Sequence, residues 1–315
     1  MDNSNIFSLS TSWNVRRHTS GKEMINEIIA LGYDKVELSY NVTREMAEEI
    51  LPMAERGKIK VTSIHNVFPK ISDDAFGTDS LLLGYPDPEM RRRAVDYTIN
   101  TIEYAVRFGA SAVVIHPGEV PVSKDYNKML EELLLEGKKD TPEYKALYEE
   151  MLNVRESGSP AYVELIRQSV ETICEYIVKK GYGIALGLEN RTRCYQIPVF
   201  YEVHTLLEGL KDLPVFFWYD VGHGMLLEQM GMFDSYKEAA ALVERTIGVH
   251  IHDILDCTDH LCPYQFSDKM DKYIDIIRKI PLKVMELGRS CKAEDIRRST
   301  QIMLAKLGIN KQGKG

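Results

Sequence analysis

Short apolar, β-branched runs punctuate the chain at regular intervals: NIFSLS (5–10), KVELS (35–39), IKVTSIH (59–65), SAVVIH (111–116), GIALGLE (183–189), VFFWYD (215–220), IGVHIH (247–252) and PLKVMEL (281–287). Runs of this length predict buried strands. Between them, stretches such as 21–32, 45–56 and 88–109 carry apolar residues at helical spacing, with glycine where a helix C-cap falls. ALGYDKVEL, RFGASAVVI and KKGYGIALGLE repeat one order of helix end, glycine, short turn and buried strand. Eight such β/α units predict a single closed (β/α)8 TIM barrel, an α/β fold, rather than an open doubly wound sheet.

One interval breaks the rhythm. About seventy residues separate the fourth and fifth runs, and only roughly 160–180 are needed for the barrel helix. The remainder, about 122–157, predicts a helical pair inserted on the rim, its charge-rich surface a solvated face with a lid or dimer contact as the alternative. No glycine-rich linker, repeat or low-complexity tract divides residues 1–315, so the reading is one domain.

Composition changes this picture little. Hydrophobic residues make up 44% and charged residues 27%, ordinary for a globular protein. A net charge of −8 supplies no global basic field to draw in nucleic acid. The five cysteines, 174, 194, 257, 262 and 291, are odd in number and scattered, and read as reduced thiols. No apolar run approaches eighteen residues and the first residues carry no basic-then-apolar leader, so the expectation is a cytoplasmic protein without a membrane partner.

In a barrel, chemistry gathers where strands end. The predicted strand ends carry His65, His116, Glu189, Asp220, His250 and Glu286; His223 follows Asp220, and His252 alternates with His250 on one face. That is far more imidazole than eight scattered histidines would place there. Buried polar groups converging on one mouth are costly unless paired or liganded, and carboxylates with neutral imidazoles suit Zn²⁺ or Mn²⁺, with Mg²⁺ or Co²⁺ also allowed. The competing reading is a metal-free His–carboxylate network.

GYDKVELS, SIHNVFP, VVIHPG, LGLENR, YDVGH, GVHIHD and VMELG, in that order at strands two to eight, resemble the xylose-isomerase-like barrel superfamily, which includes sugar isomerases and epimerases, inosose dehydratases and endonuclease IV. The resemblance implies one divalent ion held by Glu189, Asp220, His250 and Glu286, with the two glutamates exchanging protons with substrate. From the endonuclease branch it implies further ligands at His65, His116, His223 and His260, for three zinc ions. There the chain departs: Thr258 stands where that branch has Asp two residues before His260, and PYQF (263–266) replaces its Gly-x-Gly, which weakens the case for a third ion.

A single ion between two glutamates fits proton abstraction next to a carbonyl through a metal-stabilised enediolate, whose reprotonation isomerises or epimerises and whose loss of a β-hydroxyl dehydrates. Three readings follow: a metal-dependent sugar or polyol isomerase, epimerase or dehydratase; a zinc-dependent apurinic/apyrimidinic endonuclease; and a non-catalytic sugar-binding barrel. Glu37 favours the first, because it matches a position that sugar-acting relatives fill with Glu, and the loop after it holds only Arg44 as a basic residue, so nucleic acid is an unlikely partner. His223, His252, Arg191 and Arg193 are candidate substrate contacts and Arg289 a further guanidinium at the mouth, the arginines equally readable as partners of the ligand carboxylates or as solvated, and Trp13 and Phe68 are candidate apolar walls against a sugar or, equally, core. His252 is equally readable as a hydrogen-bonded core histidine. Cys257 and Cys262 bracket His260 without the second pair a zinc site needs, and His18 and His204 are expected on the surface. A homodimer is the base-rate expectation for the assembly.

Overall fold

Each apolar run becomes one barrel strand in the structure, a computed structural model that describes residues 6–309. Residue 5, the first of the predicted run 5–10, lies outside them. The strands are β1 (Ser8–Ser10), β2 (Lys35–Leu38), β3 (Lys60–His65), β4 (Ala112–Ile115), β5 (Ala185–Glu189), β6 (Val215–Asp220), β7 (Thr246–Ile251) and β8 (Leu282–Met285). All pairings around the ring are parallel, and β1 closes on β8. Helices α1 (Gly21–Ala30), α2 (Arg44–Glu55), α3 (Pro88–Phe108), α4 (Tyr126–Leu135), α5 (Pro142–Lys180), α6 (Phe200–Gly209), α7 (Val221–Met230), α8 (Ser235–Leu242), α9 (Ile274–Lys279) and α10 (Ala293–Lys306) supply the connections. Most begin on a side-chain cap, such as Thr43, Asp87 or Thr141, as the local sequence demands.

Two layers of core result. Outward-facing strand residues pack under the helices, while Ala112, Val114, Trp218 and Val284 fill the barrel interior. Trp218 fits only because its neighbours lack side chains: a carbon added at Gly248 would lie 2.2 Å from Trp218 Cζ3, and one at Gly187 2.8 Å from Cε3. Gly248→Ala therefore overpacks a rigid ring of strands and should cost about 2 kcal/mol, seen as a lower Tm with the far-ultraviolet spectrum retained.

The insertion departs from its expected form. The second helix of the pair expected at 122–157 and the barrel helix expected at 160–180 are one, α5, 39 residues long. Pro160 sits inside it without ending it. The reason is burial on both sides of the proline. Arg155 is buried and pairs with Glu202 at 2.7 Å while donating to the carbonyls of Cys194 and Gln196, and Val163 and Ile166 continue into the main core. α4 and the first half of α5 enclose a cluster of Tyr126, Leu130, Tyr144 and Met151 that also takes in Leu227 and Met230 of α7, so the insertion is docked against the last turn of α7.

Candidate metal centre at the barrel mouth

Register brings the central residues together. Asp220, the last residue of β6, pairs with His250 of β7; Glu189 ends β5, and Glu286 directly follows β8. His250 Nδ1 lies 3.0 Å from Glu286 Oε2, 3.3 Å from Glu189 Oε1 and 3.6 Å from Asp220 Oδ2, and all four side chains are buried. Their ligating atoms lie within 4.8 Å of one another. Three carboxylates cannot crowd an imidazole nitrogen in a dry site without positive charge between them. Burial pushes the Glu189 and Asp220 carboxyls toward the neutral form, but His116 and His250 around the first, and His223 and His252 around the second, outweigh it and hold both well below the usual range. Burial likewise opposes a proton on His250, yet Glu286, Glu37 and Glu189 overcome it and raise its pKa well above the ordinary value. The cluster thus asks for a proton or a cation at its centre, and its mixed oxygen and nitrogen donors fit a divalent ion such as Zn²⁺ or Mn²⁺.

Glu37 is not at the mouth. It is fully buried on the other side of His250, with both carboxylate oxygens 3.1 Å from Nε2, and it accepts a hydrogen bond from Ser63 Oγ at 2.8 Å. Expected as a substrate contact, it is an inward-facing residue within β2 and lies below the layer formed by the strand ends. Its carboxylate takes the Nε2 proton and leaves Nδ1 to the quartet, the arrangement that orients metal-binding imidazoles. Glu37→Gln should weaken divalent-ion affinity about 10- to 100-fold, measured by chelator competition, with the fold kept.

The remaining histidines flank this quartet, and their partners set their tautomers. His65 Nδ1 donates to the Asn66 carbonyl (3.0 Å), His223 Nδ1 to the Asn190 carbonyl (3.0 Å) and His260 Nδ1 to the Glu286 carbonyl (3.0 Å). His116 Nδ1 donates to Thr78 Oγ1 (3.1 Å), whose own hydroxyl donates to the Asn66 carbonyl. Each therefore presents Nε2 to the mouth. His65 Nε2 and His116 Nε2 lie 3.0 Å apart and 3.2 and 2.9 Å from Glu189 Oε2, so Glu189 faces the quartet with one oxygen and the histidine pair with the other. His252 differs. Its Nδ1 accepts the His260 backbone N–H at 2.9 Å and its Nε2 meets Asp220 Oδ1 at 2.9 Å, so both nitrogens are committed. Asp220 also caps α7 by accepting the His223 N–H at 2.7 Å, and Asn190 bridges to the Asp220 backbone through two hydrogen bonds.

Arg191 is buried in the same corner, Nη1 2.5 Å from His116 Nε2 and Nη2 2.5 Å from Asp79 Oδ1. Arg193 is exposed, beside Tyr195, Asp79 and Glu119, and Arg289 is exposed as well. Of the two readings of Phe68 and Trp13, wall or core, the packing matches the core. Phe68 is fully buried against Tyr104 and Phe108 of α3, and Trp13 is buried with its indole N–H on the Cys291 carbonyl, because each follows its strand into the helical layer. His204 is exposed as expected, whereas His18 is half-buried and paired with Glu27 at 2.7 Å. Cys262 is buried and interacts with Cys291, outside the three metal-competent groups found among the described residues.

Four contributors carry no sequence motif: Tyr40, whose ring meets His65 edge-on at 5.2 Å, and Thr78, Asp79 and Asp259. Tyr40 alone had a signal, its place two residues past the end of β2. Thr78 and Asp79 arrive on the long β3–α3 loop, which no periodicity describes.

Sequence comparison with curated proteins gives no match. Among solved structures, the fold is similar to a D-tagatose 3-epimerase-like protein (17% identity, TM-score 0.65, covering 96% of this chain and 97% of that one). It is also similar to the 3-keto-D-glucoside 4-epimerase YcjR of E. coli (14%, 0.65, 95% and 99%) and to a D-psicose 3-epimerase (12%, 0.66, 96% and 99%). At these identities the likeness speaks for the fold. The family model described as xylose isomerase-like TIM barrel matches residues 25–283, from within α1 into β8. With the match spanning most of the closed ring, the chain belongs to the xylose isomerase-like TIM barrel family.

Proposed function

We propose that this protein is a divalent-metal-dependent sugar or polyol isomerase, epimerase or dehydratase in which Glu189 and Glu286 move the proton. The observation that carries this reading is the pair of buried glutamates facing one another across His250 Nδ1, each held ionised by histidine. Glu189, Asp220, His250 and Glu286 would hold the ion. When bound, it would supply Lewis acidity to a substrate carbonyl and the adjoining hydroxyl. The chain's own groups do the rest. One glutamate takes the proton from the acidified carbon and becomes neutral; it then delivers that proton to the neighbouring carbon, which isomerises, or the other glutamate, having taken a proton from solvent, delivers it to the opposite face, which epimerises. His252 and Asn190 fix Asp220, Glu37 fixes His250, and His223 and His260 present Nε2 to the substrate's hydroxyls. The structural neighbours that are sugar epimerases support a small sugar-like substrate.

The test is solvent exchange. Protein supplied with Mn²⁺ and a panel of ketoses, inososes and sugar acids in D₂O should introduce deuterium at a carbon next to a carbonyl, followed by NMR. A metal-loaded protein that exchanges none of them would sink the assignment. A second reading, phosphodiester hydrolysis at several ions, draws on one observation: Glu189 offers its second oxygen to His65 and His116.

A further inference from the structure

Resting on the quartet reading above, we propose that Arg191 is a resident cation that closes the His65–His116–Glu189 corner to a metal. His65, His116 and Glu189 form a three-donor group whose atoms could surround an ion. Three acceptors converging in a buried corner need positive charge, and the chain itself supplies it. The hydrogen bond from His116 Nδ1 to Thr78 leaves Nε2 with one lone pair, and the Arg191 guanidinium sits 2.5 Å from that atom. One lone pair serves either an N–H donor or an ion, not both. Zinc–nitrogen bonds run at roughly 2.0–2.1 Å, so an ion on His116 would take the space the guanidinium fills.

Arg191 is also held in place. Asp79 grips Nη2 at 2.5 Å, and Glu189 Oε1 lies 3.8 Å from Nη1. The second flanking group is blunted by another route, since both nitrogens of His252 are committed. Arg191 thus keeps the second oxygen of Glu189 unligated and close to a fixed positive charge. That suits a glutamate that must exchange a proton, and it withholds the neighbouring ion that a multi-metal hydrolase would use.

The experiment counts ions per chain by elemental analysis after equilibrium dialysis against excess Zn²⁺ and, separately, Mn²⁺. Wild type, Arg191→Ala and Arg191→Lys are compared, with circular dichroism and Tm confirming folding. Arg191→Ala should bind one ion more than wild type, and Arg191→Lys, which keeps a cation in the corner, should not. No gain in Arg191→Ala overturns the inference while leaving the quartet reading intact. His116→Ala covers the case in which Arg191→Ala does not fold: an unchanged count supports the inference, and loss of one ion overturns it. Wild type that binds no ion at all defeats the quartet reading itself.

Discussion

Glu286→Gln lowers turnover by about 10³-fold on whichever substrate shows solvent exchange, and Glu189→Gln lowers it at least as far. Both changes preserve volume and remove the basic oxygen, so they test proton transfer more than packing. They differ in what else they remove. Glu189 touches His65, His116, His223 and His250, so its amide also removes the negative charge that these four imidazoles share. Glu286 sits at the open side, 5% exposed, with His250 and His260 as its imidazole neighbours. Glu286→Gln should therefore keep more of the divalent-ion affinity while losing the rate. Steady-state kinetics read beside ion titration separate the two effects, and full activity in both variants would exclude the glutamates as the proton carriers.

Saturating the quartet with its ion should raise stability by about 4 kcal/mol at a thousandfold excess over Kd. For a chain of 315 residues that is a rise in Tm of about 6 °C, reversed by a chelator. Binding should also release a proton. In the ion-free protein the carboxylates of Glu286, Glu37 and Glu189 outweigh burial and favour a proton on His250, while an ion needs its Nδ1 lone pair. Affinity therefore climbs with pH as that proton becomes easier to displace, and falls as pH drops. Calorimetry in buffers of different ionisation enthalpy reads the released proton directly. A Tm indifferent to divalent ions would mean that hydrogen bonds alone satisfy the cluster.

The strand ends were legible because burial and chemistry share one alphabet there. Period-two alternation put His250 and His252 on one face, and both point inward in β7 and just beyond it. Which nitrogen each would use was not legible, since it depends on groups distant along the chain: Glu37 for His250, and the His260 backbone for His252. Alternation also could not say how deep Glu37 lies, because inward-facing positions on successive strands fall in different layers of a tilted barrel. Phe68 and Trp13 read equally as walls or core from their place after a strand, and the chain turns them into the helical layer within a few residues. The run of helix across Pro160, from the inserted pair into the barrel helix, was set by tertiary burial that no local pattern announces.

The unbroken α5 has a consequence for engineering. At 1.5 Å per residue its 39 residues make a rod of about 58 Å that ties rim to barrel wall. A transplant of the rim segment cut at residue 157 would sever this rod in mid-turn and strand Arg155 from Glu202. Workable junctions fall instead near residue 118, before α4, and at Gly181, whose left-handed backbone ends the helix, so a donor piece must bring its wall along with its rim.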